Sequence, residues 1–262
     1  MVKKFLSIGF CLTLLLFSFT PLERKSIKVK TIVIDPGHGG KDPGCLKNKT
    51  REKDIALDIS LKVGQLIQEN MPDVKVVFTR KDDRFVELHD RAGIANKNHA
   101  DLFISVHVNS GPSGMHGTET YCMGLHKTEQ NLEIAQRENS SILMEDDHKE
   151  NYEGFDPNSP QSYILFSLFQ NAFMQSSMKL AHKIETEFQL SNKRHSRGVK
   201  QAGFLVLWKT SMPSVLVETG FITDTADYKL LNSESGRFDS AWGIYSAIED
   251  YKKDIEGAGL EE

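Results

Sequence analysis

Apolar positions change their period from segment to segment along this chain, and the changes mark out its elements. A β-branched apolar run at residues 31–34 stops at Asp35-Pro36-Gly37, as a buried strand stops where proline and glycine forbid its ladder to continue. Ile55, Ile59, Val63, Leu66 and Ile67 then recur at helical spacing, predicting an amphipathic helix over residues 52–70 that Met71-Pro72 ends. Strands are predicted at 74–80 and 102–109, with a helix at 87–98 between them that turns Leu88, Ala92 and Ala95 inward. Strand, helix, strand, helix, strand is the alternation of a largely parallel sheet covered by helices.

Further along, residues 117–123 read as a short strand at a sheet edge, 200–208 as a fifth strand and 214–221 as a sixth. Leu180, Ile184 and Phe188 continue a helix to about residue 190, and residues 242–251 belong to a closing helix. Between 124 and 172 the rhythm breaks. A polar helical stretch (128–139) leads into an acidic patch (144–150), a turn-rich stretch (154–160) and an apolar run (163–173), expected to serve as core or as a docking helix. That is long for a connection inside a compact α/β domain and predicts an insertion with a task of its own. The expected fold class is therefore α/β: a single domain with a mostly parallel twisted sheet of about six strands, helices on both faces, and a helical regulatory insertion.

Met1-Val2-Lys3-Lys4 followed by the apolar stretch 5–19 has the charged start and the length of a signal-peptide core, and is short for a membrane span. Residues 1–22 are read as a signal peptide of an exported protein, with residues 27–256 as the functional domain. An uncleaved N-terminal anchor is the alternative, because Thr20-Pro21-Leu22-Glu23 lacks a small-x-small site. The 262 residues, 39% hydrophobic and 26% charged, suffice for a substantial core. A formal net charge of −4 argues against a polyanion-binding surface, so nucleic acid is not an expected partner. Cys45 and Cys122 lie beyond the leader; export would permit a disulfide between them, but two small buried residues is the favoured reading.

Candidate chemistry collects at predicted strand ends. His38 stands in a glycine-flanked turn after the first strand, His107 at the end of the third, Glu218 at the end of the sixth, and Glu52 opens the helix that follows the His38 loop. Parallel strands present their C-terminal ends on one rim, where residues distant in sequence converge. Two imidazoles and a carboxylate with an open fourth position form a catalytic zinc pattern, and a second carboxylate nearby serves as general base. Each residue also has a structural alternative: Glu52 complements a helix dipole, Glu218 is a hydrogen-bonding partner, His107 is a satisfied core histidine. His116 is a minor candidate, and the remaining histidines fall in predicted helices or polar loops.

These residues lie in an ordered set of motifs: IVIDPGHGGKDPG, Glu52 fourteen positions after His38, TRKDD, SVHVNS, GVKQAGFLVL and MPSVLVETGFIT. The set resembles that of the zinc-dependent N-acetylmuramoyl-L-alanine amidases of the amidase 3 family. The resemblance implies one zinc ion held by His38, Glu52 and His107, with Glu218 as the catalytic carboxylate. It also implies peptidoglycan as substrate, cut between N-acetylmuramic acid and L-alanine, with Asn109 orienting substrate or a metal ligand. Arg80 and Asp82 are expected to form an internal ion pair bracing the sheet. The insertion resembles the regulatory segment of the autoinhibited cell-division amidases of Gram-negative bacteria, in which a helix blocks the zinc site until a LytM-type activator displaces it. Glu138 is then the leading zinc-blocking candidate and Glu145 the next. The protein is expected to work in the periplasm as a monomer, in septum splitting and cell separation. The competing expectations are another zinc-dependent wall hydrolase, a peptidase or deacetylase, and a non-catalytic wall-binding scaffold.

Overall fold

The computed structural model describes residues 28–167 and 172–257. β1 (Thr31–Pro36) leads through a small ribbon, β2 (Leu46–Lys47) and β3 (Thr50–Arg51), into α1 (Glu52–Asn70). β4 (Lys75–Phe78), α2 (Leu88–Lys97), β5 (Leu102–Asn109) and β6 (Thr118–Met123) follow. α3 (Glu129–Asn139), α4 (His148–Asn151) and α5 (Pro160–Ser167) occupy the long connection before α6 (Met174–Leu190) and β7 (Ser196–Ala202). β8 (Ser214–Phe221), α7 (Thr225–Leu231) and α8 (Glu234–Gly257) complete the described chain.

The main sheet has six strands in the order β4-β1-β5-β8-β6-β7. Every pairing is parallel except the antiparallel one between β6 and β8. Two expectations need correction here. β6 is not an edge strand: β7 pairs along its outer side, and all six of its residues are buried. The fifth strand lies earlier than predicted, at Ser196–Ala202, and Leu205–Leu207 form a 3-10 turn whose side chains are buried in the core. A four-residue apolar run such as Phe204 to Leu207 has no period that separates a strand from a buried turn.

Side chains alternate across each strand, so the sheet carries two cores. Ile32, Ile34, Ile104 and Val217 pack against α1, α6 and α8 on one face. On the other, Val33, Phe103, Tyr121 and Leu216 meet α2, α3 and the insertion residues Tyr152, Phe155 and Tyr163. The insertion is thus part of the second core, and Tyr163 in its apolar run is fully buried. Residues 168–171 of that run and the leader lie outside the described residues. Among the described residues, no helix is long and apolar enough to cross a membrane. Cys45 and Cys122 are buried free thiols, not a disulfide.

The ion pair bracing the sheet is not the expected one. Arg80 is buried and donates to the carbonyls of Pro36 (3.0 Å) and Gly37 (2.6 Å) where β1 turns away, and to that of Lys53 (2.9 Å) in the first turn of α1. The Asp82 carboxylate instead lies 3.6 Å from exposed Arg84. Asp35 and Arg91 make the buried pair: Arg91 Nη1 donates to Asp35 Oδ1 at 2.9 Å and to the Pro36 carbonyl, while Nη2 donates to the His38 carbonyl at 2.8 Å. Thr79 and Ser105 hydroxyls also donate to Asp35. Burial pushes against ionisation of Asp35, but Arg91 and the hydroxyls outweigh it and hold the carboxyl below its usual range.

Replacing Arg91 by methionine leaves this carboxylate buried without its counter-charge, and is expected to cost about 3–5 kcal/mol of unfolding free energy at neutral pH. Urea unfolding measures it. Because the folded-state pKa of Asp35 is depressed, its contribution is present above the unfolded carboxylate pKa and is lost as pH falls through the folded value. The gap between wild type and variant should therefore shrink on acidification.

Candidate metal centre

The parallel strands β1, β5 and β8 deliver their C-terminal ends to one rim, and the turn after β1 is shaped to reach it. His38 has a positive φ of 58° and is followed by Gly39 and Gly40, also positive. Gly37 continues the pairing to β5 through its N–H to Val106 at 3.0 Å, and a Cβ there would stand 2.5 Å from the His107 ring. Gly44, with φ of 65°, lies where a Cβ would meet His38 and Glu52 at 2.6 and 2.7 Å. Absence of side chains at these two glycines lets the two imidazoles and the α1 carboxylate close together.

Four side-chain atoms converge. Nε2 of His38 lies 3.1 Å from Oε1 of Glu52 and 3.1 Å from Oε2 of Glu138; Nδ1 of His107 lies 3.2 and 3.1 Å from the same two oxygens. All four residues are buried. A tetrahedral ion with bonds of about 2.0–2.1 Å sets its ligand atoms roughly 3.3 Å apart, which these separations approach. His38 Nε2 and Glu138 Oε2 have no hydrogen-bond partner despite their closeness, so hydrogen bonding does not explain why they meet. Two imidazole nitrogens and two carboxylate oxygens are a donor set that suits zinc.

The supports are in place around the cluster. Asp42 Oδ2 lies 2.7 Å from His38 Nδ1, fixing the ring so that Nε2 faces inward. Glu52 accepts from the backbone N–H groups of Val108 and Cys45, both at 2.8 Å. For His38, burial alone would lower the pKa, but Glu52 and Asp42 outweigh it and raise it well above the usual value. Burial also opposes the charged form of His107, yet the nearby carboxylates of Glu138 and Glu52 push it up to about 9. Glu52 and Glu138 are held low against their own burial, chiefly by His38 and by Arg137. Protons on the imidazoles thus do the neutralising that a cation does when it displaces them.

Glu218 lies opposite His107 in the β5–β8 register, and both its carboxyl oxygens are buried without hydrogen-bond partners. Burial first, then Glu138 and Glu52, raise its pKa well above the usual value. It is poised as a proton carrier next to the cluster. Asn109 is also here, but its amide is committed: Oδ1 accepts from Arg137 and from Ser110 N–H, and Nδ2 donates to Glu119.

The family scan decides what this site belongs to: residues 32–250 match the model described as N-acetylmuramoyl-L-alanine amidase. The chain belongs to that family. The amidase is 34% identical over 225 residues to an uncharacterized protein, YqiI, of Bacillus subtilis strain 168, covering 86% of each chain. It is 32% identical over 236 residues to N-acetylmuramoyl-L-alanine amidase AmiA of Escherichia coli strain K12, covering 88% of this chain and 79% of that protein. Among solved structures it superposes on an N-acetylmuramoyl-L-alanine amidase from Clostridium difficile 630 with a TM-score of 0.63 and 26% identity, covering 86% of this chain and 97% of that one. It is a peptidoglycan amidase on an α/β sheet, and the peptidase, deacetylase and scaffold alternatives give way.

Of the residues singled out in the amidase sequence, His38, Glu52, His107 and Glu138 meet at one point with Glu218 and Asn109 beside them. Glu145 does not join them: it is buried at the start of α2, where it accepts from Leu88 N–H and the Tyr152 hydroxyl at 2.9 and 2.7 Å. Its carboxylate is occupied by these helix and tyrosine donors, away from the imidazoles. His116 is exposed and packs against His195, with ring centroids 4.9 Å apart. Asp42 and Arg137 escaped notice. Asp42 was findable, lying one helical repeat after His38 in a turn; nothing short of the fold marks Arg137.

Replacing Asp42 by alanine frees the His38 ring, and is expected to weaken zinc affinity about 10- to 100-fold with little change in fold. Competition against a fluorescent chelator measures this directly.

Proposed function

We propose that His38, Glu52 and His107 hold one zinc ion and that Glu218 is the acid–base group of the muramoyl amide hydrolysis. The observation that carries this reading is the meeting of three such ligands with a buried carboxyl group that has no hydrogen-bond partner. Zinc bound there supplies a Lewis acid that lowers the pKa of water and polarises the amide carbonyl. Glu218 accepts the proton of the attacking water and hands it to the departing amine of L-alanine. The raised proton affinity of Glu218 suits both transfers, since it must take a proton and then give it up near neutrality. Asn109, once relieved of Arg137, orients the substrate through its amide.

Glu138 is the zinc-blocking residue in this proposal. Its carboxylate takes the place that water and substrate need, and supporting this is its approach to both imidazoles at 3.1 Å. Arg137 reinforces it: Nε donates to Glu138 Oε1 at 2.9 Å, Nη1 to the Ser110 carbonyl and Nη2 to Asn109. The insertion 124–172 is thus a regulatory segment, and an activator protein of LytM type acts by drawing Glu138 of α3 away from the imidazoles. We place the enzyme outside the inner membrane, exported by residues 1–22 into the periplasm, in septum splitting and cell separation; the charged start and apolar core of the leader support export.

Mass spectrometry of products from purified peptidoglycan tests the chemistry. Glu218→Gln is expected to keep one zinc per chain while turnover falls by about 10²-fold or more; loss of the metal in that variant would remove Glu218 from the acid–base role. Glu138→Ala is expected to release stem peptides beginning with L-alanine faster than the unmodified chain. Equal rates would leave the amidase and refute the block.

A further inference from the structure

Two motifs of the sequence, GTETYCM and RGVKQA, have no part in the proposed mechanism, yet the fold brings them together next to Glu218. Glu119 of β6 lies directly opposite Glu218 of β8 in the antiparallel register. Glu119 is fully buried and accepts from the Tyr121 hydroxyl at 2.7 Å, from Asn109 at 3.1 Å, from Arg197 Nε at 2.5 Å and from Lys200 Nζ. Two cations on one carboxylate leave a positive charge unspent at the rim.

The backbone is bent to arrange this. Between the pairs Thr118–Ser196 and Thr120–Val199, the single residue Glu119 faces two residues of β7, Arg197 and Gly198. That is a β-bulge, with Gly198 at φ of 83° supplying the left-handed step. No atom lies within 4 Å of where a Gly198 Cβ would be, so the glycine serves conformation, not space. The bulge re-aims Arg197 inward over the sheet: its Cζ lies 5.4 Å from the Phe221 ring centroid, on the strand that carries Glu218. Among the described residues, only its Nε is used in a hydrogen bond, and the side chain is 22% exposed. A guanidinium pinned by a buried glutamate and an aromatic ring, with both terminal amino groups free, is built to bind a planar anion through two parallel hydrogen bonds.

We propose that Arg197, positioned by Glu119 and assisted by Lys200, is the receptor for a free carboxylate of the stem peptide on the L-alanine side of the scissile bond. The β7 and β8 backbones lie two strand spacings apart, about 10 Å, but the Arg197 side chain reaches back across that gap to Glu119 and Phe221, so its guanidinium stands within about one or two extended residues of the β8 rim. The anion is therefore the carboxylate of the acidic residue that follows L-alanine. The enzyme distinguishes a stem peptide whose carboxylate is free from one in which it is amidated. This inference rests on the muramoyl-amidase activity, and it adds specificity for one chemical form of the substrate.

The test uses the zinc-loaded full-length chain carrying Glu138→Ala, which lifts the proposed block and serves as the enzyme unmodified at Arg197, and two soluble muramyl peptides that differ only in a free carboxylate or a carboxamide on the residue after L-alanine. The unmodified enzyme should favour the acid by about tenfold or more in kcat/KM, through KM. Arg197→Gln should raise KM for the acid, leave kcat within about twofold and bring the two substrates level. Arg197→Lys should recover part of the preference. Turnover of either peptide by the unmodified chain upholds the amidase activity by itself. A preference unchanged in Arg197→Gln, or an equal fall in kcat on both peptides, overturns the receptor and makes Arg197 a structural partner of Glu119.

Discussion

Three carboxylates, Glu52, Glu138 and Glu218, are buried within one pocket beside two imidazoles, and the cost of holding so much acid away from water governs the rest of the molecule. Parallel pairing of β1, β5 and β8 forces these groups together, so the charge has to be met locally. It is met three ways: by the raised proton affinity of His38 and His107, by the guanidinium of Arg137, and by the raised proton affinity of Glu218. A divalent cation bound among the four ligand atoms would replace the first of these directly. Its natural competitors are protons, which gives metal occupancy a built-in dependence on acidity.

Arg137 and Glu138 share this economy although they belong to the insertion. Adjacent residues on a helix point about 100° apart, so the pair reaches two different targets from one turn of α3. Glu138 meets the imidazoles while Arg137 holds the β5 end through Ser110 and Asn109. Together the pair brings one negative and one positive charge to the pocket, so it adds contacts there without changing the net charge.

Much of this was legible in the chain itself. The helix read at residues 52–70 and the strands read at 102–109 and 214–221 have those bounds in the fold, because each shows a clear period and is closed by a proline, a glycine or a turn. His38, His107 and Glu218 follow from strand ends, which topology brings to one rim, and Glu52 from the start of the helix after the His38 loop. The failures share a cause: pairing partners are not written in local sequence. β6 has the composition of an edge strand but is covered by β7, and Arg91 and Arg137 are ordinary helical arginines until long-range contact gives them Asp35 and Asn109 as partners. The bulge at Arg197 and Gly198 is likewise a property of two strands and not of one.

The end of α3 has a consequence for how the insertion works. The Asn139 side chain donates to the Gly203 carbonyl at 2.7 Å and accepts from Leu205 N–H at 2.9 Å, fastening the chain to the core just past Glu138. Beyond it, Tyr152, Phe155 and Tyr163 are buried in the sheet's second core and have nowhere to go without dissolving it. Ile134 and Ala135 of α3 lie in that same core, so α3 and the segment after it are held to the sheet by one continuous apolar contact. Any displacement of Glu138 from the imidazoles would have to work against that contact and the Asn139 clamp together, and the eleven residues of α3 are as much a part of the domain as the strands are.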